Sequence, residues 1–357
     1  MKRNSLLLVL SAVFLTLFGL FMIYDASSYV SLKDFGDKYH YIKDQLFWVI
    51  LGLAGLSFFS FFDYRKFYVL SLPILLLSIT LLVMVFIPGI GVYILGAHRW
   101  VNFKFFILQS SEFAKLSLVI YLAAWFSNRE KERLLAFLLL LGLVLFLIIA
   151  EPDMGTAAII LAVALVMYFL SDAPLWQFIG IIPVFGVLGI LAAKFSPYRA
   201  QRLTTFFDVN SSPQSYSYHV RQILIALGSG GLTGVGFGNS LQKYAYLPEN
   251  TTDSIFAIIA EEIGFVGSIF IIGVYALLIL VGFRIAAKAK DNFGKLLAAG
   301  ITTAIAVQTI INLASQTALL PLTGVPLPFI SYGGSALIVN LSAIGILLNI
   351  SKQSTKS

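Results

Sequence analysis

Charges that interrupt apolar stretches are the first candidates for chemistry in this sequence. Glu112 and Lys115 stand three residues apart in such a stretch, so a helix would carry both on one face. A charge at the centre of a membrane helix costs roughly 2.5–3.5 kcal/mol on insertion scales, which marks the pair for attention. It reads either as a mutually neutralising couple near a helix end or as a polar cavity in which Lys115 meets an anionic ligand. Glu261 and Glu262 lie about two turns into another apolar run. There, interfacial or packing roles compete with contact to a substrate. In residues 246–257, Pro248 breaks the chain and Thr252 or Asp253 follows where a helix N-cap belongs. A carboxylate at a helix N-terminus is favoured in its ionised form. Asp253 is therefore a cap, or an acceptor-only general base at the mouth of the bundle. Upstream, Arg199 and Arg202 suit bidentate phosphate binding, with contact to lipid headgroups as the plainer reading. Residues 228–240 are rich in glycine but lack the Gly-Lys-Ser/Thr ending of a P-loop. They permit either tight turns or close backbone approach to a ligand.

The elements that must position these groups are apolar. Of 357 residues, 59% are hydrophobic and 11% charged, with a mean hydropathy of +0.91. Soluble domains carry about 25% charged residues. Charge-free runs at 4–24, 45–62, 134–150, 154–171, 173–193 and 263–283 are near or above the roughly 17–20 residues that a membrane helix needs. They do not alternate as porin strands do. The first run is longer than a signal-peptide core and reads as an uncleaved anchor. With no cysteine, disulfides, thiol nucleophiles and Cys-ligated metals are excluded. His40, His98 and His219 are far apart in sequence, which argues against a metal cluster or a Ser-His-Asp triad. The net charge of +7 points to anionic lipid rather than nucleic acid.

The pattern predicts an all-α, polytopic integral membrane protein of one domain, residues 1–357, with about ten spans. They fall near 5–24, 45–62, 67–87, 107–126, 134–150, 154–171, 174–193, 255–283, 296–318 and 328–350. With both termini on one side, the tails and the connectors at 65–66, 129–133, 171–174 and 284–295 hold more than half of the 24 lysines and arginines. The positive-inside rule puts that face in the cytoplasm. The opposite face receives loops near 25–44, 88–106, 151–153 and 319–326, plus a long one at about 194–253. Loops of that length are usually functional. Within it, 216–227 is too short to span and is expected to lie along the interface.

Several blocks, in order, resemble the SEDS family (shape, elongation, division and sporulation). They are residues 96–102 (Gly-Ala-His-Arg-Trp-Val-Asn), 109–115 (Gln-Ser-Ser-Glu-Phe-Ala-Lys), 151–156 (Glu-Pro-Asp-Met-Gly-Thr), Gln201-Arg202, 228–267 and 326–335 (Pro-Leu-Pro-Phe-Ile-Ser-Tyr-Gly-Gly-Ser). The similarity covers nearly the whole chain, and 239–249 and 326–335 favour its FtsW- and SpoVE-like branch. The resemblance implies a peptidoglycan glycosyltransferase that polymerises lipid II outside the cytoplasmic membrane. Its implied partners are lipid II, the undecaprenyl-pyrophosphate-linked glycan, a class B penicillin-binding protein, and other division or elongation membrane proteins. The family's essential aspartate falls on Asp253, its intramembrane pair on Glu112 and Lys115, its short-loop aspartate on Asp153 and its outer-loop arginine on Arg202. Arg99, Gln201 and Glu249, within the matching blocks, complete the expected substrate-binding set. Where the family usually has proline, Ser110 or Ser111 stands here. Thr251 and Ser254 replace a frequent His and Phe, which leaves Asp253 as the expected lone base.

These residues suit a single displacement with inversion, in which one base takes a proton from a sugar hydroxyl while cations stabilise the departing pyrophosphate. A divalent cation, Mg or Mn, is expected on the pyrophosphate, which would supply most of its ligands because the sequence has no metal cage. The competing readings are a flippase for lipid-linked precursors and a non-catalytic scaffold for a transpeptidase.

Overall fold

The computed structural model describes residues 2–94, 97–104, 106–128, 133–194, 202, 206 and 216–354. The chain is a helical bundle of α1 (Lys2–Phe35), α2 (His40–Phe61), α3 (Lys66–Met84), α4 (Ser110–Ser127), α5 (Leu134–Ala150), α6 (Met154–Leu170), α7 (Leu175–Lys194), α8 (Tyr216–Gly230), α9 (Ile255–Ala287), α10 (Asn292–Gln316) and α11 (Gly334–Gln353). Six of these, α1, α2, α3, α9, α10 and α11, are long and apolar enough to cross a membrane by length and composition. Helices α5 and α6 are shorter and equally apolar, as is the 175–189 part of α7. The short α8 follows the expected interfacial segment. The most buried spans are α10 and α11, and the outer helices turn leucine, isoleucine and phenylalanine outward.

Two expected loops prove to be structured. Residues 88–106 contain two of the three strands of a small antiparallel sheet, β1 (Gly91–Ile94), β2 (Ala97–Asn102) and β3 (Ile107–Gln109), in the order β1-β2-β3. Val101, on β2, is fully buried. The segment 25–44 is a helical hairpin. No glycine or proline interrupts the chain after Asp25 until Gly36, where φ is +70° and the amide closes on Leu32 O at 3.0 Å. At about 1.5 Å per residue, the 34 residues of α1 span about 50 Å, well beyond a hydrocarbon core of about 30 Å.

Ser5 Oγ lies 2.8 Å from Ser351 Oγ, so the two termini share one end of the bundle. The expected connectors at 65–66 and 284–295 lie beside them, with Arg65 Nε 3.5 Å from Asp291 Oδ2. The Tyr64 amide donates to Asn349 Oδ1 at 3.1 Å, and its hydroxyl donates to Asp291 Oδ2 at 2.5 Å.

Helix α9 is broken at Gly264, where φ is +67° and ψ is −170°. The glycine-rich segment after α8 fills the break. Phe265 N donates to Gly231 O at 2.9 Å and Val266 N to Leu232 O at 3.1 Å. In return, Val235 N and Gly236 N donate to Glu261 O and Glu262 O, both at 3.0 Å. Backbone polar groups freed inside an apolar bundle must find such partners. A Cβ on Gly264 would lie 2.2 Å from Gly234 N, and one on Gly234 would lie 2.1 Å from Glu262 O. The glycines thus make turns and a close approach, and the approach is to α9. Glu261 and Glu262 have packing roles here. Glu261 accepts from Ser229 Oγ (3.2 Å), from Leu241 N (3.3 Å) and from Ser240 Oγ. Glu262 accepts from Gly238 N at 3.1 Å and from Lys243 Nζ at 3.2 Å. Lys243 also reaches Asp25 Oδ1 on α1 at 2.9 Å.

Candidate active site

At the end of the bundle opposite the termini, a cavity of about 630 Å³ opens between β2, α8, the turn before α9 and the loop after α10. Its lining includes Arg99, Trp100, Arg202, His219, Glu249, Thr252, Asp253 and Tyr332. Folding thus gathers four of the expected site residues, Arg99, Arg202, Glu249 and Asp253. Gln201, like Arg199, lies outside the described residues.

The turn 249–254 sets Asp253. Glu249 adopts φ +51°, and its carbonyl accepts from Thr252 N at 3.2 Å and from Ser254 N at 3.1 Å. The second of these bonds delays the helix. The N-cap of α9 is Ser254, not Thr252 or Asp253, and the Asp253 carboxyl is free for the cavity wall. The Asp253 carbonyl accepts from Asn312 Nδ2 at 3.0 Å and from Gln316 Nε2 at 2.8 Å. Asn312 Nδ2 also reaches Val325 O at 2.7 Å, and Gln308 Nε2 reaches Pro326 O at 2.9 Å. Gln308, Asn312 and Gln316 repeat every four residues, one face of α10. The four-residue spacing of these amides is legible in the sequence, but their carbonyl partners are not. Ser331 Oγ donates to Thr252 O at 2.6 Å, and Tyr332 N to Thr251 O at 2.9 Å. The 326–335 block therefore supports the acidic turn from behind.

Burial pushes the Asp253 carboxyl above its usual range, against its hydrogen bonds and the positive charge of Arg202 and Arg99. The expected helix-end stabilisation of its ionised form is outweighed. A carboxyl moved toward neutrality is better matched to base catalysis near pH 7. Partial loss of hydration in the turn raises Glu249, although the residue keeps an exposed face, and Asp253 raises it further. Arg202 Nη1 donates to Leu322 O at 3.0 Å. Arg99 is held by the turn between α5 and α6, with Nε 3.2 Å from Glu151 O and Nη2 2.5 Å from Pro152 O.

His219, for which the sequence suggested no role here, also lines the cavity. Its Nε2 lies 2.7 Å from Ser254 Oγ, and burial pushes its pKa down to about 4, which keeps the imidazole neutral at pH 7. The separation of the histidines in sequence hid it. A usable signal was its helical spacing from Ile223 and Ala226, both buried on the same face of α8.

Three other expected site residues lie away from the cavity lining. Lys115 Nζ is 2.8 Å from Glu112 Oε1 and 2.6 Å from Gln308 Oε1, with all three side chains buried. Asp153 caps α6, accepting from Thr156 N at 3.0 Å and Thr156 Oγ1 at 2.8 Å, and also from Ser111 Oγ at 3.2 Å.

The neighbouring Glu151 is fully buried, with Ser110 Oγ 3.1 Å from Oε1. Burial pushes its pKa up to about 9. Its folded-state value thus exceeds the unfolded one, so stability falls as pH rises from about 4.5 to about 9 and levels off above that. Glu151→Gln is expected to flatten that part of the pH dependence of the melting temperature in detergent. An unchanged slope would mean that Glu151 is already ionised in the folded protein.

No group of three or more carboxylates or imidazoles able to ligate a metal occurs among the described residues. The two cavity carboxylates are joined by the Thr252 hydroxyl rather than opened toward a common point. These residues do not form a cation site by themselves.

Residues 5–356 match the family described as "Cell cycle protein", which groups FtsW, RodA and SpoVE. The chain belongs to that family. It is 38% identical to the "Probable peptidoglycan glycosyltransferase FtsW" of Trichlorobacter lovleyi, over 98% of this chain and 94% of that one. It is also 38% identical to the stage V sporulation protein E of Bacillus subtilis, over 99% of both. Among solved structures, the fold is similar to the rod shape determining protein RodA of Thermus thermophilus, with a TM-score of 0.72 and 25% identity over 98% of this chain and 97% of that one. It is also similar to a chain from a peptidoglycan synthase complex that coordinates polymerization and crosslinking, with a TM-score of 0.79 and 24% identity over 98% of both chains.

Proposed function

We propose that this protein is a peptidoglycan glycosyltransferase that polymerises lipid II at the outer face of the cytoplasmic membrane. The observation that carries the reading is the cavity itself, where Asp253 faces a wall shared with Arg99 and Arg202, at the end away from the lysine-rich connectors. The names of the FtsW relatives support the same chemistry. The positive-inside distribution supports cytoplasmic termini. In the proposed step a sugar hydroxyl oxygen bonds to the anomeric carbon, its proton passes to Asp253, and the bond to the lipid pyrophosphate breaks with its electron pair. Arg99 and Arg202 offset the leaving charge, and the configuration inverts. A divalent cation, Mg or Mn, would arrive on the pyrophosphate and keep phosphate and water oxygens as ligands. Glu112, Lys115 and Asp153 act at one remove in this scheme, holding the walls of the cavity. A class B penicillin-binding protein is the proposed partner, in line with the complex to which the fold is similar.

The test is polymerisation of purified lipid II by the protein with its transpeptidase partner. Glycan strands are expected as product. Lipid II crossing vesicles with no polymer formed would establish a transporter instead, and neither activity would leave a scaffold.

A further inference from the structure

The acidic turn holds a hydrogen-bonding arrangement that one proton completes. Thr252 Oγ1 lies 2.9 Å from Glu249 Oε2, 3.1 Å from Asp253 Oδ1 and 3.2 Å from Glu249 O. A threonine hydroxyl has one hydrogen to donate and two lone pairs, while an ionised carboxylate only accepts. With both carboxylates ionised, at least one oxygen faces Oγ1 with no hydrogen between them. If Glu249 is protonated, it donates to Oγ1, and Oγ1 donates to Asp253. Both carboxylate contacts are then made, the Glu249 carbonyl being served instead by the Thr252 and Ser254 amides, and Asp253 remains a carboxylate. Carboxylates that share a site cannot both ionise freely.

We propose that Glu249 and Asp253 share one proton through the Thr252 hydroxyl, and that Glu249 is the exit by which the proton taken from each sugar leaves the site. The inference rests on the polymerase reading above. Glu249 is exposed, whereas Asp253 is recessed, so only the former opens broadly to water. In each turnover the attacking hydroxyl gives its proton to Asp253. Glu249 then releases its own proton to water. The hydrogens shift by one place, from Thr252 to Glu249 and from Asp253 to Thr252, which restores the starting state. The other charged or titratable groups facing the pair are Arg99 on β2, Arg202, His219 on α8, Tyr332 and, on α2, Tyr41. The two guanidinium groups stabilise the ionised member, and the neutral imidazole adds no charge.

Two measurements test this. Infrared difference spectra at neutral pH, wild type against Glu249→Gln, are expected to show one protonated-carboxyl stretch lost in the variant. Its absence overturns the shared proton, and this arm needs no activity, so it still decides the question if the polymerase reading fails. The second is the pH profile of lipid II polymerisation. Glu249→Gln is expected to lower kcat by about tenfold or more, short of the roughly 10²–10⁴-fold of a direct general base because Glu249 acts through Asp253. The acidic limb should stay in place, because the Glu249 that Asp253 faces is already neutral, and KM should be little changed. Thr252→Val should lose a similar factor and Thr252→Ser should recover it. A raised KM with unchanged kcat would make Glu249 a substrate contact, and wild-type rates in Thr252→Val would remove the relay.

Discussion

Asp253→Asn is expected to abolish measurable glycan synthesis, with a fall of about 10²–10⁴-fold for loss of a general base, while the purified protein keeps its melting temperature. The separation of the two effects follows from how the residue is held. The part of Asp253 that braces the fold is its backbone carbonyl, bonded to Asn312 and Gln316. Asparagine retains that carbonyl and nearly the same side-chain volume. What it loses is the ability to take a proton, so the loss should fall on kcat. Full activity in the variant would remove Asp253 as the base and leave the fold intact.

Lys115→Met is expected to destabilise the protein by about 3–5 kcal/mol, because it leaves Glu112 buried without its counter-charge. Glu112 Oε2 already has no partner, so no second donor stands ready to compensate. The substitution also removes the bond to Gln308, whose amide holds Pro326 O on the cavity wall. The double variant Glu112→Gln/Lys115→Met separates the two readings of the pair. Neutralising both partners should recover most of the lost melting temperature in detergent, since residues in contact couple strongly. If polymerisation returns as well, the pair is a neutralising couple that shapes the cavity. If the stable double variant stays inactive, Lys115 meets the anionic ligand during turnover.

What the sequence disclosed depends on whether a signal is local. The apolar runs are local, and they gave the helical membrane architecture directly. Asp253 was legible because Pro248 and an apolar run bracket it, yet its cap position was off by one residue. That error came from the bond between Ser254 N and Glu249 O, which no propensity encodes. His219 was hidden because nothing in sequence links it to Ser254, thirty-five places on. Glu249 entered only through its place in a matching block, and the hydroxyl bridge that gives it a role is a matter of ångströms. The glycines of 228–240 were ambiguous because their partner, the break in α9, lies across a fold that sequence spacing does not display. The extension of α1 was legible, since no glycine or proline stands between Asp25 and Gly36.

The break at Gly264 has a consequence for the reach of the reaction. Above it, α9 is a peg of nine residues, 255–263, about 13 Å tall, with the acidic turn at its tip. The peg is pinned at its foot by the glycine segment, so its height and rotation are fixed from below. Removing one residue from it would lower the carboxylate by about 1.5 Å and swing it by about 100°, away from the arginines. The interval between Asp253 and Gly264 thus acts as a gauge, setting how far from the hydrocarbon a growing strand is joined.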